Sequence, residues 1–247
     1  MAKELPTSIK LPSLEELELE GSGLEKAVLS WVGNHKDLKY LSLRGYDFSQ
    51  SRLSWINNLT RLQELNISTC SASVPIPYQI GTFVYSTDLK LSTCYASVQQ
   101  IPSVIGNLTK LTSLTIIAFK FSGRPIPFQI GNLADLRELS IEGCDFSGYQ
   151  IPSSIRNLTK LIALDISNNY YFSGPIPSTI GNLIQIEWLR LSRNNLTGET
   201  FNLNCFLPSS NALKIYLYVL SIMKNVSLII HIPMILKFFT QKNDTKN

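Results

Sequence analysis

An Ile-Pro pair returns five times in the middle of this chain, at Ile76-Pro77, Ile101-Pro102, Ile126-Pro127, Ile151-Pro152 and Ile176-Pro177. Each pair lies 25 positions after the last. Between them one sentence is respelled: IPSVIGNLTKLTSLTIIAFKFSGRP from Ile101, IPFQIGNLADLRELSIEGCDFSGYQ from Ile126, IPSSIRNLTKLIALDISNNYYFSGP from Ile151 and IPSTIGNLIQIEWLRLSRNNLTGET from Ile176. Self-similarity at a period of roughly 20–50 residues means units that cannot bury their apolar faces alone, so neighbours stack into a solenoid. Each unit packs only on the next, and the core grows linearly with repeat number.

Each period predicts one short parallel strand, because L-x-L alternation sends its leucines to one face and the x residues to the other. The strands stack along a concave wall. The IPxxIGNL part returns across the convex side, where Pro fixes φ and removes a donor, so an extended turn is favoured. The segment after it predicts a short helical turn of the 3₁₀ kind. Three less regular repeats precede Ile76, with strand leucines Leu14, Leu17 and Leu19, then Leu38, Leu41 and Leu43, then Leu62, Leu65 and Ile67. The repeat from Ile76 is the most degraded, with Ser86 where a leucine is expected. This gives about eight repeats over residues 1–200 and a tail, 201–247, with neither strand pattern nor GNL turn. Tyr171 reads as a one-residue insertion and predicts a local bulge.

The pattern L-x-x-L-x-L-x-x-N/C-x-L is met from Ile186 by Ile186, Leu189, Leu191, Asn194 and Leu196, and from Leu136 by Leu136, Leu139, Ile141, Cys144 and Phe146. Followed by the IPxxIGNL segment, it resembles the plant-type leucine-rich repeat over roughly residues 5–200. That subclass is best known from ectodomains of receptor-like kinases and receptor-like proteins and from secreted polygalacturonase-inhibiting proteins. The resemblance implies an α/β solenoid: a right-handed superhelix with a concave parallel sheet and a 3₁₀ or irregular convex side. It also implies that the side chain at the N/C position turns inward and bonds backbone groups of the neighbouring coil, where amides leave the ladder. The residues there are Cys94, Phe119, Cys144, Asn169 and Asn194, with Cys70 at the same point of its own repeat. Structural thiols are expected at the cysteines, with a Cys70–Cys94 disulfide as the rival; Cys205 has no evident partner.

Charge matters once it is split. Residues 1–200 carry 17 Lys+Arg and 17 Asp+Glu, whereas 201–247 carry five Lys and one Asp. The net +4 therefore sits in the tail, and no basic nucleic-acid face is supported on the repeats. Two histidines, His35 and His231, stand in unrelated contexts, so neither a metal cluster nor a Ser/His/Asp set can be assembled, and no cofactor is implied. No kinase string or Gly-rich phosphate loop occurs in the sequence, so the chain reads as a non-enzyme. Asn-x-Ser/Thr glycosylation signals stand at Asn58, Asn66, Asn107, Asn157, Asn195, Asn225 and Asn243. Asn58, Asn107 and Asn157 are also simply the Asn-Leu-Thr of the repeat; Asn66 and Asn195 are expected to be exposed on the family geometry.

Alternation makes the x residues of each strand the recognition surface. The expected contacts are Trp188, Arg190 and Arg193, with Glu142, Arg137 and Asp165, and a second group of Tyr40 and Arg44. An exposed Trp beside Arg is the pairing found at interface hot spots. The resemblance implies a scaffold recognising a peptide or protein in plant defence or developmental signalling, with a co-receptor kinase, at the outer face of the plasma membrane. The alternatives are a soluble inhibitor of a secreted hydrolase and a truncated gene product without activity.

The first residues, MAKELPTSIKLPSLEELELEG, show no apolar signal region, which fits a piece of a longer receptor or a chain that stays inside the cell. Apolar runs at 215–223 and 225–236 are split by Lys224. A membrane span would carry that lysine at a cost of about 3 kcal/mol; a tail laid on the last repeat is the other reading.

Overall fold

A computed structural model describes residues 11–21, 26–45, 53–69, 76, 78–93, 100–119, 121 and 124–197. Eight parallel strands form one sheet in the order β1-β2-β3-β4-β5-β6-β7-β9. They are β1 (Glu16–Glu20), β2 (Tyr40–Arg44), β3 (Glu64–Thr69), β4 (Asp88–Thr93), β5 (Ser113–Ile117), β6 (Glu138–Glu142), β7 (Ala163–Asp165) and β9 (Trp188–Arg190). The register is regular: Leu114 pairs with Leu139, Leu139 with Leu164 and Leu164 with Leu189. All four are buried. Most parallel sheets are covered on both faces and read as unbroken apolar runs. Here most of the alternate residues are polar or charged, Ile117, Ala163 and Trp188 excepted, so one face packs and the other meets solvent.

The convex side follows from the prolines. Pro102, Pro127, Pro152 and Pro177 hold φ between −67° and −63° in extended backbone. Each precedes a 3₁₀ turn, at Ser103–Asn107, Phe128–Asn132, Ser153–Asn157 and Ser178–Asn182. Two further 3₁₀ turns are Leu53–Asn58 and Tyr78–Thr82. The second repeat departs from this expectation and makes a helix, α1 (Lys26–Val32). It has no Ile-Pro to hold its start extended, which permits i→i−4 bonding without dictating it, since the 3₁₀ turn at Leu53–Asn58 lacks the pair too. Glycine sets how closely the turns stack. A Cβ on Gly131 would lie 2.6 Å from the Ser154 carbonyl oxygen of the next coil.

One continuous core joins the two arms. The leucine columns form its sheet side, while Ile105, Ile130, Ile155 and Ile180 come from the turns. Between them runs a file of phenylalanines: Phe119 and Phe121 have ring centroids 5.6 Å apart, Phe121 and Phe146 4.8 Å, and Phe146 and Phe172 5.2 Å. Ser86 stays inside at its leucine position, donating its hydroxyl to the Leu62 carbonyl at 3.0 Å.

The N/C position behaves as the resemblance implies. Asn194 Oδ1 accepts from the Asn169 amide at 3.0 Å, and Asn169 Oδ1 from the Cys144 amide at 2.6 Å. Their Nδ2 groups donate to Ile166 O at 2.5 Å and to Ile141 O at 2.8 Å. Cys144 offers only a thiol, 3.3 Å from Glu142 O and 3.8 Å from Ile116 O. It is a buried free thiol, pushed up to about 12 chiefly by burial. Cys70, Cys94 and Cys205 lie outside the described residues, and so does the whole tail 201–247.

Two features correct or extend the sequence reading. The extra Tyr makes a turn rather than a bulge: Tyr170 and Tyr171 project into solvent, and the Phe172 amide closes back on Asn169 O at 2.8 Å. At that point the chain has left the ladder, so an added residue has no cross-strand pairing to interrupt. Beyond it a second sheet pairs β8 (Ser173–Pro175) with β10 (Asn195–Thr197) in parallel.

Candidate functional site

The sheet register turns the open face into rows. Glu16, Tyr40, Glu64, Asp88, Ser113, Glu138, Ala163 and Trp188 stand side by side across eight strands. The next row reads Glu18, Ser42, Asn66, Lys90, Thr115, Ser140, Asp165 and Arg190. Apart from Ser42 the residues of both rows are at least partly open to solvent, so identity there is free to serve recognition.

The anticipated contact residues fall into two groups. Glu142 ends β6, Arg137 directly precedes it, Asp165 ends β7, and Trp188 and Arg190 bound β9, so these five share three adjacent strands. Trp188 is 38 % exposed. Asp165 organises its corner: Oδ1 accepts from the Ser167 amide at 3.0 Å and hydroxyl at 2.6 Å, and Oδ2 lies 3.3 Å from Arg190 Nη1. Glu142 accepts from Ser140 Oγ at 2.6 Å. Arg193 lies past the strand at φ +57° and donates to Asn168 Oδ1 at 3.3 Å, which ties it to the neighbouring coil rather than to the strand wall.

Tyr40 and Arg44 sit on β2, four strands from β6 and so about 19 Å away at ~4.8 Å per strand. They form a separate group. The Tyr40 hydroxyl donates to Glu18 Oε1 at 2.7 Å. That bond to a carboxylate is the main reason the phenol's pKa is raised. Glu15 pairs with Lys39 at 2.7 Å.

Three polar residues of the wall are less open than alternation suggested. Ser42 and Ser167 are buried, and Asn66, expected to be exposed as a glycosylation acceptor, is half-buried with its Oδ1 shut from solvent. Ser167 is drawn in by its own coil, its amide and hydroxyl both bonded to Asp165 Oδ1. Asn58, Asn107, Asn157 and Asn195 are exposed, the first three ending 3₁₀ turns and the last opening β10. Asn225 and Asn243 lie outside the described residues.

His35 is buried, its Nδ1 3.0 Å from Trp31 O and its ring edge-on to the Trp31 indole. Among the described residues no three His, Cys, Asp or Glu side chains converge on a metal position. Nor is any helix among them long and apolar enough to cross a membrane; the runs at 215–236 lie outside the described residues.

Comparison with known proteins agrees with this architecture. A Leucine Rich Repeat family model matches residues 160–183. No curated protein matches the chain by sequence at a significant level. Among solved structures, the plant peptide hormone receptor RGFR1 in complex with RGF2 is similar at 26 % identity and TM-score 0.63, over 77 % of this chain and 30 % of that one. The Arabidopsis receptor kinase HAESA, in complex with the peptide hormone IDA and the co-receptor SERK1, is similar at 27 % identity and TM-score 0.61, over 77 % of this chain and 34 % of that one. A leucine-rich repeat protein of Leptospira interrogans is similar at 27 % identity and TM-score 0.59, over 74 % and 44 %. The chain thus spans less than half the length of each.

Proposed function

We propose that this leucine-rich repeat solenoid, similar to plant receptor ectodomains, recognises a peptide or protein along its concave wall in defence or developmental signalling. The observation that carries the reading is the open face itself: eight strands in register present largely polar rows, with an exposed tryptophan beside an arginine at one end. Trp188, Arg190, Arg137, Glu142 and Asp165 form the main contact area, since a large aromatic in a partly pre-bonded polar setting supplies contact surface at small entropic cost. Tyr40 and Arg44 are a second contact further along, and Arg193 braces the end of the wall. Likeness to receptors solved with peptide hormones, one with a co-receptor, supports this reading. The protein then acts at the outer face of the plasma membrane, with a co-receptor kinase completing the signal, and carries glycans at Asn58, Asn107, Asn157 or Asn195.

A random-peptide display library selected on the full chain tests it. Selected peptides are expected to lose binding to a Ser113→Arg, Thr115→Arg variant of the concave wall and to keep it on a convex Ser103→Arg control. Peptides that bind the wall variant as well as the unaltered protein, or lose only the convex one, would refute the proposal.

A further inference from the structure

The phenylalanine file gives a measure of the connectors behind it. From Phe121 to Ile126 and from Phe146 to Ile151 the chain takes five steps, but from Phe172 to Ile176 only four. The added Tyr171 keeps the period at 25, so the residue gained before Phe172 is given up after it. The short connector leaves room beside its longer neighbour. There a pocket of about 500 Å³ opens among Gly148, Tyr149, Gln150, Pro152, Ser153 and Pro175. None of the residues lining it belongs to the eight-stranded sheet.

Its size is that of a small-molecule site, roughly 300–1,000 Å³. Among the described residues no charged side chain lines it, so an ion would lose water there without meeting a counter-charge. Pro125, Pro152, Pro175 and Pro177 bring ring faces and no N–H donors, and the buried Ile126 and Ile151 add apolar surface. Gln150 lies over Gly174, where a Cβ would stand 2.5 Å from Gln150 Cγ and 2.8 Å from Nε2. A second observation comes from the next turn. Phe128 is 69 % exposed, at the place in its turn that Ser153, a lining residue, holds one coil on. Ser103 and Ser178 hold that place in other coils, so the coil beside the pocket has exchanged a small polar side chain for an aromatic ring left in water.

We infer that this pocket receives the indole of a tryptophan on a partner protein, at a site separate from the concave wall. The proline faces and the Phe128 ring take the flat apolar body, and aromatic pairs gain beyond the area they bury. Walls poor in N–H donors suit a ring whose polar edge only donates, and the indole N–H is such a group. Gln150 Oε1 accepts it. An aliphatic side chain gains neither the ring pairing nor the hydrogen bond, and an acidic one enters without a counter-charge. A preformed hollow with an aromatic at its edge is also the setting in which tryptophan anchors carry binding energy.

The test titrates the full chain with N-acetyl-tryptophanamide and N-acetyl-leucinamide, followed by NMR. The tryptophan amide is expected to bind roughly three- to tenfold more tightly, as an aromatic pair allows. Phe128→Ser installs the residue that Ser103, Ser153 and Ser178 supply at the same place, and Gln150→Pro the one that Pro125 and Pro175 supply, so the fold accepts both. Each should cut the preference to about twofold or less. The preference should survive in Tyr78→Ser, an exposed aromatic at the same place two coils away, and in the Ser113→Arg, Thr115→Arg wall variant. Equal binding of the two amides overturns the inference, and so does a preference unchanged in either pocket variant. A preference lost equally in Tyr78→Ser overturns it too, since any exposed ring would then collect indoles. No wall residue takes part, so this site and the recognition reading of the wall stand or fall separately.

Discussion

Replacing Asn169 with leucine keeps a side chain of comparable bulk in a fully buried place and removes every polar contact it makes. Two backbone groups then lose partners: the Cys144 amide, 2.6 Å from Oδ1, and the Ile141 carbonyl, 2.8 Å from Nδ2. A buried group stripped of its partner costs about 1–3 kcal/mol, so the pair predicts a loss of about 2–6 kcal/mol. Against a typical domain stability of roughly 5–15 kcal/mol, that is a large share. Urea unfolding followed by circular dichroism measures it as a shift of the midpoint at constant slope. The mirror change is Cys144→Asn. It should supply the Phe119 amide and the Ile116 carbonyl with the bonds Asn169 gives one coil on, for a gain of about 1–2 kcal/mol. A loss below about 0.5 kcal/mol for Asn169→Leu, within the ordinary scatter of surface changes, would refute the idea that this column bonds successive coils together.

The remaining expectations follow from the same geometry. Phe146→Ala opens the middle of the phenylalanine file, where the ring is fully buried, and should cost about 3–5 kcal/mol in the same urea assay. Ala118 sits at φ +63°, where its neighbour-coil counterpart is Gly143 at the same angle. Ala118→Gly relieves a left-handed penalty of about 1–2 kcal/mol, partly offset by unfolded-chain entropy, and should raise stability by about 0.5–1 kcal/mol. The Cys144 thiol is held up at about 12 in the folded chain, above the ~8.5 of a free cysteine. Folding therefore favours the protonated form. Its contribution is complete below pH ~8.5 and is lost as pH rises towards 12, so the urea midpoint should decline across that window less in Cys144→Ser than in the unaltered protein. A thiol reagent at pH 8 should leave Cys144 unlabelled until urea unfolds the chain.

Much of this molecule was legible as text. The 25-residue period and L-x-L alternation specify a sheet of parallel strands with leucines in register, because a one-residue slip would carry every leucine to solvent. The prolines specify the extended approach to the 3₁₀ turns of the regular repeats, whereas the two turns without one differ, Leu53–Asn58 staying 3₁₀ and Lys26–Val32 becoming α-helical. Asn169 and Asn194 could be placed in their bridging role through the resemblance to the plant-type leucine-rich repeat, from their place in its motif. Other features depended on which side chains share a row. Ser42 reads on its strand as an exposed polar residue, yet in the folded sheet it is buried. Trp188 and Tyr40 both read as contact residues, but only strand order puts Trp188 and Arg190 beside Asp165 and leaves Tyr40 four strands from β6. Sequence fixes what each coil must hide, since burial is decided within a repeat by periodicity. Which exposed atoms meet, and which are left without a partner, is decided between repeats, where residues 24 or 25 apart come within a few ångströms.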